Sequence, residues 1–163
     1  MRTLMLLITV TLAIVSAPAF AETFAGRVIG VTDGDTVKVL DGINQEHKIR
    51  LAGIDAPERK QPFGQRSKQH LSDLVYGKDV EVEWHKQDRY KRLVGKIIIH
   101  GQDANLEMVE SGLAWHYKKY QGEQSYGDRL AYARAEEDAR KCRCGLWADP
   151  RPIEPGEWRK GVR

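Results

Sequence analysis

The sequence predicts an α+β fold: a small closed barrel of five β-strands, OB-like in layout, with three α-helices attached. Three observations lead there. Short alternating or β-branched runs recur along the first hundred residues, and Asp-Gly pairs separate the early ones. Three other segments carry helical periodicity. Only the extreme N-terminus has a long apolar run.

That run comes first. Met1-Arg2-Thr3 leads into apolar residues from Leu4 to about Val15, then Ala19-Phe20-Ala21. A basic residue, a short apolar stretch and a small-x-small site read as a secretory signal peptide, with cleavage expected after Ala21. A membrane anchor would need about 20 apolar residues, and Thr9 and Thr11 interrupt this one. Residues 1–21 are therefore set aside. Residues 22–148 are read as one domain long enough for a core, and 149–163 as a proline-rich tail. The expected product is secreted or periplasmic, without a membrane anchor.

The strands follow. Phe24 to Thr32 (FAGRVIGVT) is β-branched and aromatic, Asp33-Gly34 is a tight-turn signal, and Asp35 to Leu40 (DTVKVL) alternates. Asp41-Gly42 marks a second turn before a strand from about Glu46 to Ile54. Lys78 to His85 alternates, and Leu93 to His100 reads as a more buried run. Helices are predicted over Phe63 to Tyr76 with Leu71, Leu74 and Val75 on one face, and over Asn105 to Gly112 with Leu106, Met108, Val109 and Leu113. A third, over Gly127 to Lys141, carries Leu130, Ala131, Ala133 and Ala135. The tail from Trp147, with Pro150, Pro152 and Pro155, reads as an extended arm, packed or mobile.

Charge is a weak guide: the formal net charge is +3, or +2 once Arg2 is removed. Its distribution says more, since Lys86, Arg89, Lys91, Arg92 and Lys96 fall within eleven residues against one acid, Asp88. A local basic patch can hold a polyanion, although lysines on a strand edge are common. Cys142 and Cys144 are the only cysteines. A disulfide is the default in an exported protein, but residues two apart on a helix diverge, so a bond requires the helix to have ended, with Gly145 as a terminator. A local disulfide, a link to another chain and free thiols stay open.

Three motifs in fixed order carry the chemistry: Asp33-Gly34-Asp35-Thr36, Arg50 to Glu58 (RLAGIDAPE), and Asp88 to Arg92 (DRYKR). They supply two carboxylates for a hard cation, a third for a water, and two arginines for a phosphate. Phosphodiester hydrolysis needs positive charge aimed at the phosphoryl oxygens and a nucleophile made basic near neutral pH. Arginine suits the first task because its planar fork matches two phosphate oxygens and never deprotonates. A hairpin turn explains Asp33-Gly34 but not Asp35, placed where a strand should begin and where aspartate is depleted. Asp55, Pro57 and Glu58 also fit a helix capping box; the chemical reading makes Asp55 a second metal carboxylate, the Ala56 carbonyl a further ligand, and Glu58 the group facing the water. Two carboxylates with carbonyls and waters suit calcium. A glutamate is a feeble base toward bulk water, so Glu58 acts as a base only if the cation acidifies the water or burial helps it; otherwise it orients the water. Arg50 reads equally as a surface strand residue and Arg92 as a partner of Asp88; a pair converging on one phosphate would be diagnostic.

In order and approximate spacing, DGDT, RLxGIDxPE, DRYxR and ESGLAWHYKKY closely resemble the staphylococcal nuclease family, over roughly Phe24 to Trp147. The resemblance implies a five-stranded OB-fold barrel with three helices, and calcium-dependent cleavage of DNA and RNA that leaves 3′-phosphates. It implies that Asp35, Asp55 and the Ala56 carbonyl hold calcium, that Glu58 is the general base, and that Arg50 and Arg92 bind the phosphate. By the same resemblance Arg89 and Tyr90 contact a terminal phosphate, and Tyr117 and Tyr120 lie in the segment that packs on a base, where a sequence-tolerant stacking platform is useful. Ala56 and Lys91 stand where the founding member has threonine and glycine, the loop after Glu58 is shorter, and the cysteines and tail are additions. The expectation is a monomeric nuclease with single-stranded DNA or RNA as preferred substrate. A non-catalytic OB-fold module binding single strands and a calcium-stabilised structural domain are the rivals. Family-like domains that only bind usually lack one of the five groups kept here.

Overall fold

In the computed structural model, which describes residues 22–162, alternation along each strand decides what the barrel buries. The strands are β1 (Glu22–Asp33), β2 (Thr36–Asp41), β3 (Glu46–Leu51), β4 (Ile54–Asp55), β5 (Asp79–Gln87), β6 (Leu93–Ile99), β7 (Gln102–Asp103) and β8 (Trp115–His116). The main sheet runs β3-β2-β1-β5-β6-β7, and β3 also pairs with β6. That last pairing is parallel, placing Ile49 opposite Leu93 and Leu51 opposite Gly95, and it closes five strands into a barrel. Val28, Val37, Val39, Ile49, Leu51, Val82 and Ile97 point inward and are almost wholly buried, as a two-residue period requires. The predicted signal peptide lies outside the described residues.

Helix α1 (Gly64–Val75) covers the barrel with Leu71 and Val75, and α2 (Ala104–Glu110) with Met108 and Val109. Helix α3 (Tyr126–Cys142) departs from expectation in its face. Tyr132, Ala135, Glu136 and Ala139 are buried, while Leu130 is exposed. The rotation follows from Tyr132, whose large ring enters the core and whose hydroxyl donates to Asp103 Oδ2 at 2.7 Å, outweighing a scatter of alanines.

Further findings bear on function. The strand expected to reach Ile54 stops at Leu51, because Gly53 takes a φ of 74° and its Cα lies against Gln124 and Tyr132. The chain then restarts as β4 and pairs with β8, Asp55 opposite Trp115. Helix α1 begins at Gly64, so Asp55 caps no helix and the capping-box reading falls. The cysteines form the local Cys142–Cys144 disulfide: α3 ends at Cys142, with Arg143 rather than Gly145 in the left-handed position that terminates it. The tail is packed. It forms a 3₁₀ turn (Gly145–Ala148) and a last helix, α4 (Pro155–Arg159), with Pro155 buried at its first turn.

Candidate active site

The first carboxylate is positioned by a two-residue turn. Asp33 pairs with Thr36 at the β1–β2 hairpin end, leaving Gly34 and Asp35 as the turn itself rather than placing Asp35 on the strand. Gly34 is required by proximity: a Cβ there would fall 1.9 Å from Ser67 Oγ and 2.8 Å from the Ala56 methyl. The turn is thereby pressed against α1, and the Asp35 side chain points inward. Its Oδ1 accepts from Thr36 Oγ1 at 3.1 Å, and its Oδ2 accepts the Ala56 N–H at 2.9 Å. What Ala56 brings to this carboxylate is thus its amide.

The second carboxylate and the first arginine come from β3 and β4. Ile49 and Leu51 face the core, so Arg50 faces the opposite side. Its Nη1 donates to the Leu51 carbonyl at 2.7 Å and to that of Ile54 at 2.9 Å, and its Nη2 lies 3.1 Å from both Asp35 Oδ2 and Asp55 Oδ1. One guanidinium therefore joins two buried carboxylates. Asn105 holds the intervening loop, donating to the carbonyls of Ala52 (3.0 Å) and Gly95 (3.1 Å) and accepting from Ile97 N–H.

Glu58 lies at the mouth of the same site, half exposed. Its N–H donates to Gln61 Oε1 at 3.0 Å, and its carbonyl lies so near Gly64 that a Cβ there would sit 2.0 Å away. Gln61 is buried and also donates to the Ile153 carbonyl at 2.6 Å. Sequence reasoning missed this residue, and missed Arg159. From α4, Arg159 Nη2 reaches Asp55 Oδ2 at 2.8 Å, and Nη1 reaches Asp55 Oδ1 at 3.3 Å and Glu58 Oε1 at 2.7 Å. The available hint was Pro155, a helix-start signal inside the tail.

Arg92 lines the same open cleft as Arg50, a space of about 1140 Å³. It is folded onto Asp88, with Nε at 2.8 Å and Nη2 at 2.7 Å from Oδ2. Lys91 adopts a φ of 62° in this loop, a left-handed conformation that glycine takes without cost. Tyr90 is exposed, with the Arg89 and Arg92 guanidinium carbons 4.8 and 5.4 Å from its ring centre. Across the cleft, Tyr117 and Tyr120 meet edge to face with centroids 4.9 Å apart. Tyr120 is the exposed one and has Lys86 and Lys119 near its ring; Tyr117 is half-buried toward Asp55.

Electrostatics mark this as a site for positive charge. Burial pushes the Asp33 carboxyl up to about 6; the charge and side chain of Asp35 add to the rise, and hydrogen bonds from the Asp35 N–H and the Thr36 side chain oppose it. Burial also raises Asp55 above the ordinary carboxylate range, against the Arg159 hydrogen bond and the Arg50 charge. Such crowding of acids is what a hard divalent cation relieves. Among the described residues no three His, Cys, Asp or Glu side chains stand together as a complete metal set. Asp35 and Asp55 fit a cation that completes its shell with backbone, water or substrate oxygens.

Comparison with known proteins agrees with this geometry. Residues 48–149 match the family model described as staphylococcal nuclease homologue. The chain is 40% identical over 159 residues to the micrococcal nuclease of Shigella flexneri, covering 92% of this chain and 88% of that one. A Haemophilus influenzae protein described as an uncharacterized endonuclease is 46% identical over 134 residues, 82% of this chain and 72% of its own. Protein ParB of Escherichia coli is 37% identical, with 90% and 85% covered. An OB-type barrel carrying arginines and buried carboxylates on one cleft, and relatives of this kind along nearly its whole length, place the chain in the staphylococcal nuclease homologue family, as a hydrolase that cuts nucleic acid.

Proposed function

We propose that this nuclease is calcium-dependent, is exported to the periplasm or medium, and cuts DNA and RNA with little sequence preference, favouring single strands and leaving 3′-phosphates. The observation that carries the reading is the pairing of Asp35 and Asp55 on Arg50 at the floor of an open, arginine- and tyrosine-lined cleft. Calcium at Asp35, Asp55 and the Ala56 carbonyl would supply positive charge beside a phosphoryl oxygen and acidify a water. Glu58 orients that water or takes its proton. Arg50, fixed by two carbonyls, and Arg92 neutralise charge developing on the phosphoryl group. Tyr90 and Tyr120 offer π-faces any base can stack on, which supports tolerance of sequence and a preference for unpaired strands. Export rests on the N-terminal sequence, and monomeric action on a cleft completed within one chain.

The test is cleavage of single-stranded DNA by the purified protein in calcium or in chelator, with the product ends analysed. Calcium-dependent cutting to 3′-phosphates is expected. Binding without cutting would return the chain to the non-catalytic OB-fold module.

A further inference from the structure

The mechanism above leaves Arg159 unused, although its guanidinium pairs with two of the acids at the site. Its fork spans both oxygens of Asp55 and reaches Glu58 Oε1. One guanidinium thus covers an expected cation ligand and the expected water-facing group together. Arg50 and Arg159 differ in how they are held. Arg50 is 13% exposed and fixed by the Leu51 and Ile54 carbonyls; Arg159 is 42% exposed, and its fork donates to the carboxylates of Asp55 and Glu58. Arg159 regains solvent on leaving, whereas buried Asp55 then needs another cation in its place. Arg50 is a fixture, whereas Arg159 is exchangeable.

We propose that α4 is a latch: Arg159 serves as an internal cation on Asp55 and Glu58, and a divalent cation must displace it, releasing the C-terminal segment, before the site is competent. The inference rests on the calcium reading of Asp35 and Asp55. Charge counting supports it. Asp35, Asp55 and Glu58 against Arg50 leave a net charge of −2, which one dication balances. With Arg159 docked as well, the same dication would leave the cluster positive and would compete for both Asp55 oxygens. Elsewhere the segment is joined to the domain through buried Pro155 and the hydrogen bond from Gln61 to the Ile153 carbonyl, beside a small crevice of about 30 Å³ between Phe63, Trp115, Leu146 and Pro152. Gln61 also holds the Glu58 N–H, so undocking is felt at Glu58. A phosphate-binding role for Arg159 is disfavoured by its aim, since both Nη atoms face the groups that must hold the cation and the water.

The experiment compares the full chain with Arg159→Gln and Arg159→Lys by calorimetric titration of calcium, with amide hydrogen exchange over residues 153–159 as a second readout. The glutamine variant should bind calcium about tenfold more tightly or better, because a closed latch lowers apparent affinity by the fraction of open molecules. The lysine variant, keeping charge but lacking the fork, should fall between. Calcium should speed exchange across 153–159 in the parent and change it little in the glutamine variant. Equal calcium affinity in parent and glutamine variant, with exchange unmoved, overturns the latch and leaves the calcium reading intact. No saturable calcium binding by any of the three overturns the calcium reading and the competition with it.

Discussion

Replacing Arg50 with glutamine separates the two tasks the structure gives this side chain. It donates to two backbone carbonyls and lies 3.1 Å from a carboxylate oxygen on each of Asp35 and Asp55. Breaking a buried ion pair on one side costs about 3–5 kcal/mol. Here the carboxylates are not wholly stranded: Asp55 keeps Arg159, and Asp35 keeps the Ala56 amide and the Thr36 hydroxyl. The loss then falls mainly on the orphaned Leu51 and Ile54 carbonyls and on unscreened repulsion between two acids, so the lower end, about 3 kcal/mol, is expected. The catalytic loss is separate. A preorganised donor at a developing charge is worth roughly 100- to 1000-fold in kcat. Urea unfolding with and without calcium measures the first, and single-turnover cleavage of a short single-stranded oligonucleotide the second. Calcium should recover most of the stability, since a cation can sit between the acids, but none of the turnover, since it cannot replace the fork. Turnover within about threefold of the parent, or calcium restoring both properties together, would refute the division of labour.

Other variants test the scaffold and the cleft wall. Asn105→Ala removes three hydrogen bonds at a fully buried position; it should cost about 2–4 kcal/mol in denaturant unfolding and lower kcat, because the Ala52–Gly53 loop carries Arg50 and Asp55, whereas an effect on stability alone would free that loop of a positioning role. Burial by itself raises the Asp88 carboxyl, but the donors on Arg92 and Tyr90 outweigh it, and the net shift is downward. A depressed carboxyl stabilises above its unfolded pKa, and that contribution disappears as pH falls through the folded value. Asp88→Asn should therefore melt roughly 2–4 °C lower near neutrality and converge with the parent as pH falls below the depressed carboxyl's own value; an offset that stays constant from neutrality into acid would contradict the assignment. Tyr120→Ala should weaken single-strand binding by roughly 5- to 100-fold, the value of one stacked base, while Tyr117→Phe should change it little in a filter-binding titration; the reverse order would exchange the two rings.

What the sequence revealed and what it hid divide by the range of the interactions. Strand alternation around Val37, Ile49 and Val82 is set by near neighbours, so the barrel was legible. So was the gathering of Asp35, Arg50 and Asp55, because each sits on a short motif whose backbone fixes it. The misread face of α3 shows the limit. Leu130 and the alanines supplied the apolar residues noted in the sequence, but the buried face is the one carrying the large ring of Tyr132, which reaches Asp103 29 positions away. Gln61 and Arg159 were invisible for the same reason: their partners lie 92 and 104 positions away, and a tail of prolines and charges carries no period that names a distant acid.

That division bears on the site's chemistry. Asp35 is held by its own turn and by the barrel: the Thr36 hydroxyl, the Ala56 amide and the Gly34 contact with α1 fix it. Asp55 is buried beside Asp35, burial opposes its charge, and it shares Arg50 with that neighbour. The other cation it relies on comes from the far end of the chain, on a helix of five residues. One half of the carboxylate pair is thus held by the barrel, and the charge balance of the other depends on the C-terminal helix. A cation arriving at such a pair meets one preorganised ligand and one that must first change partner. On the proposed latch, selectivity for a dication over monovalent ions would follow from displacement as well as from geometry, because a single charge at Asp55 merely replaces the single charge of the guanidinium it evicts.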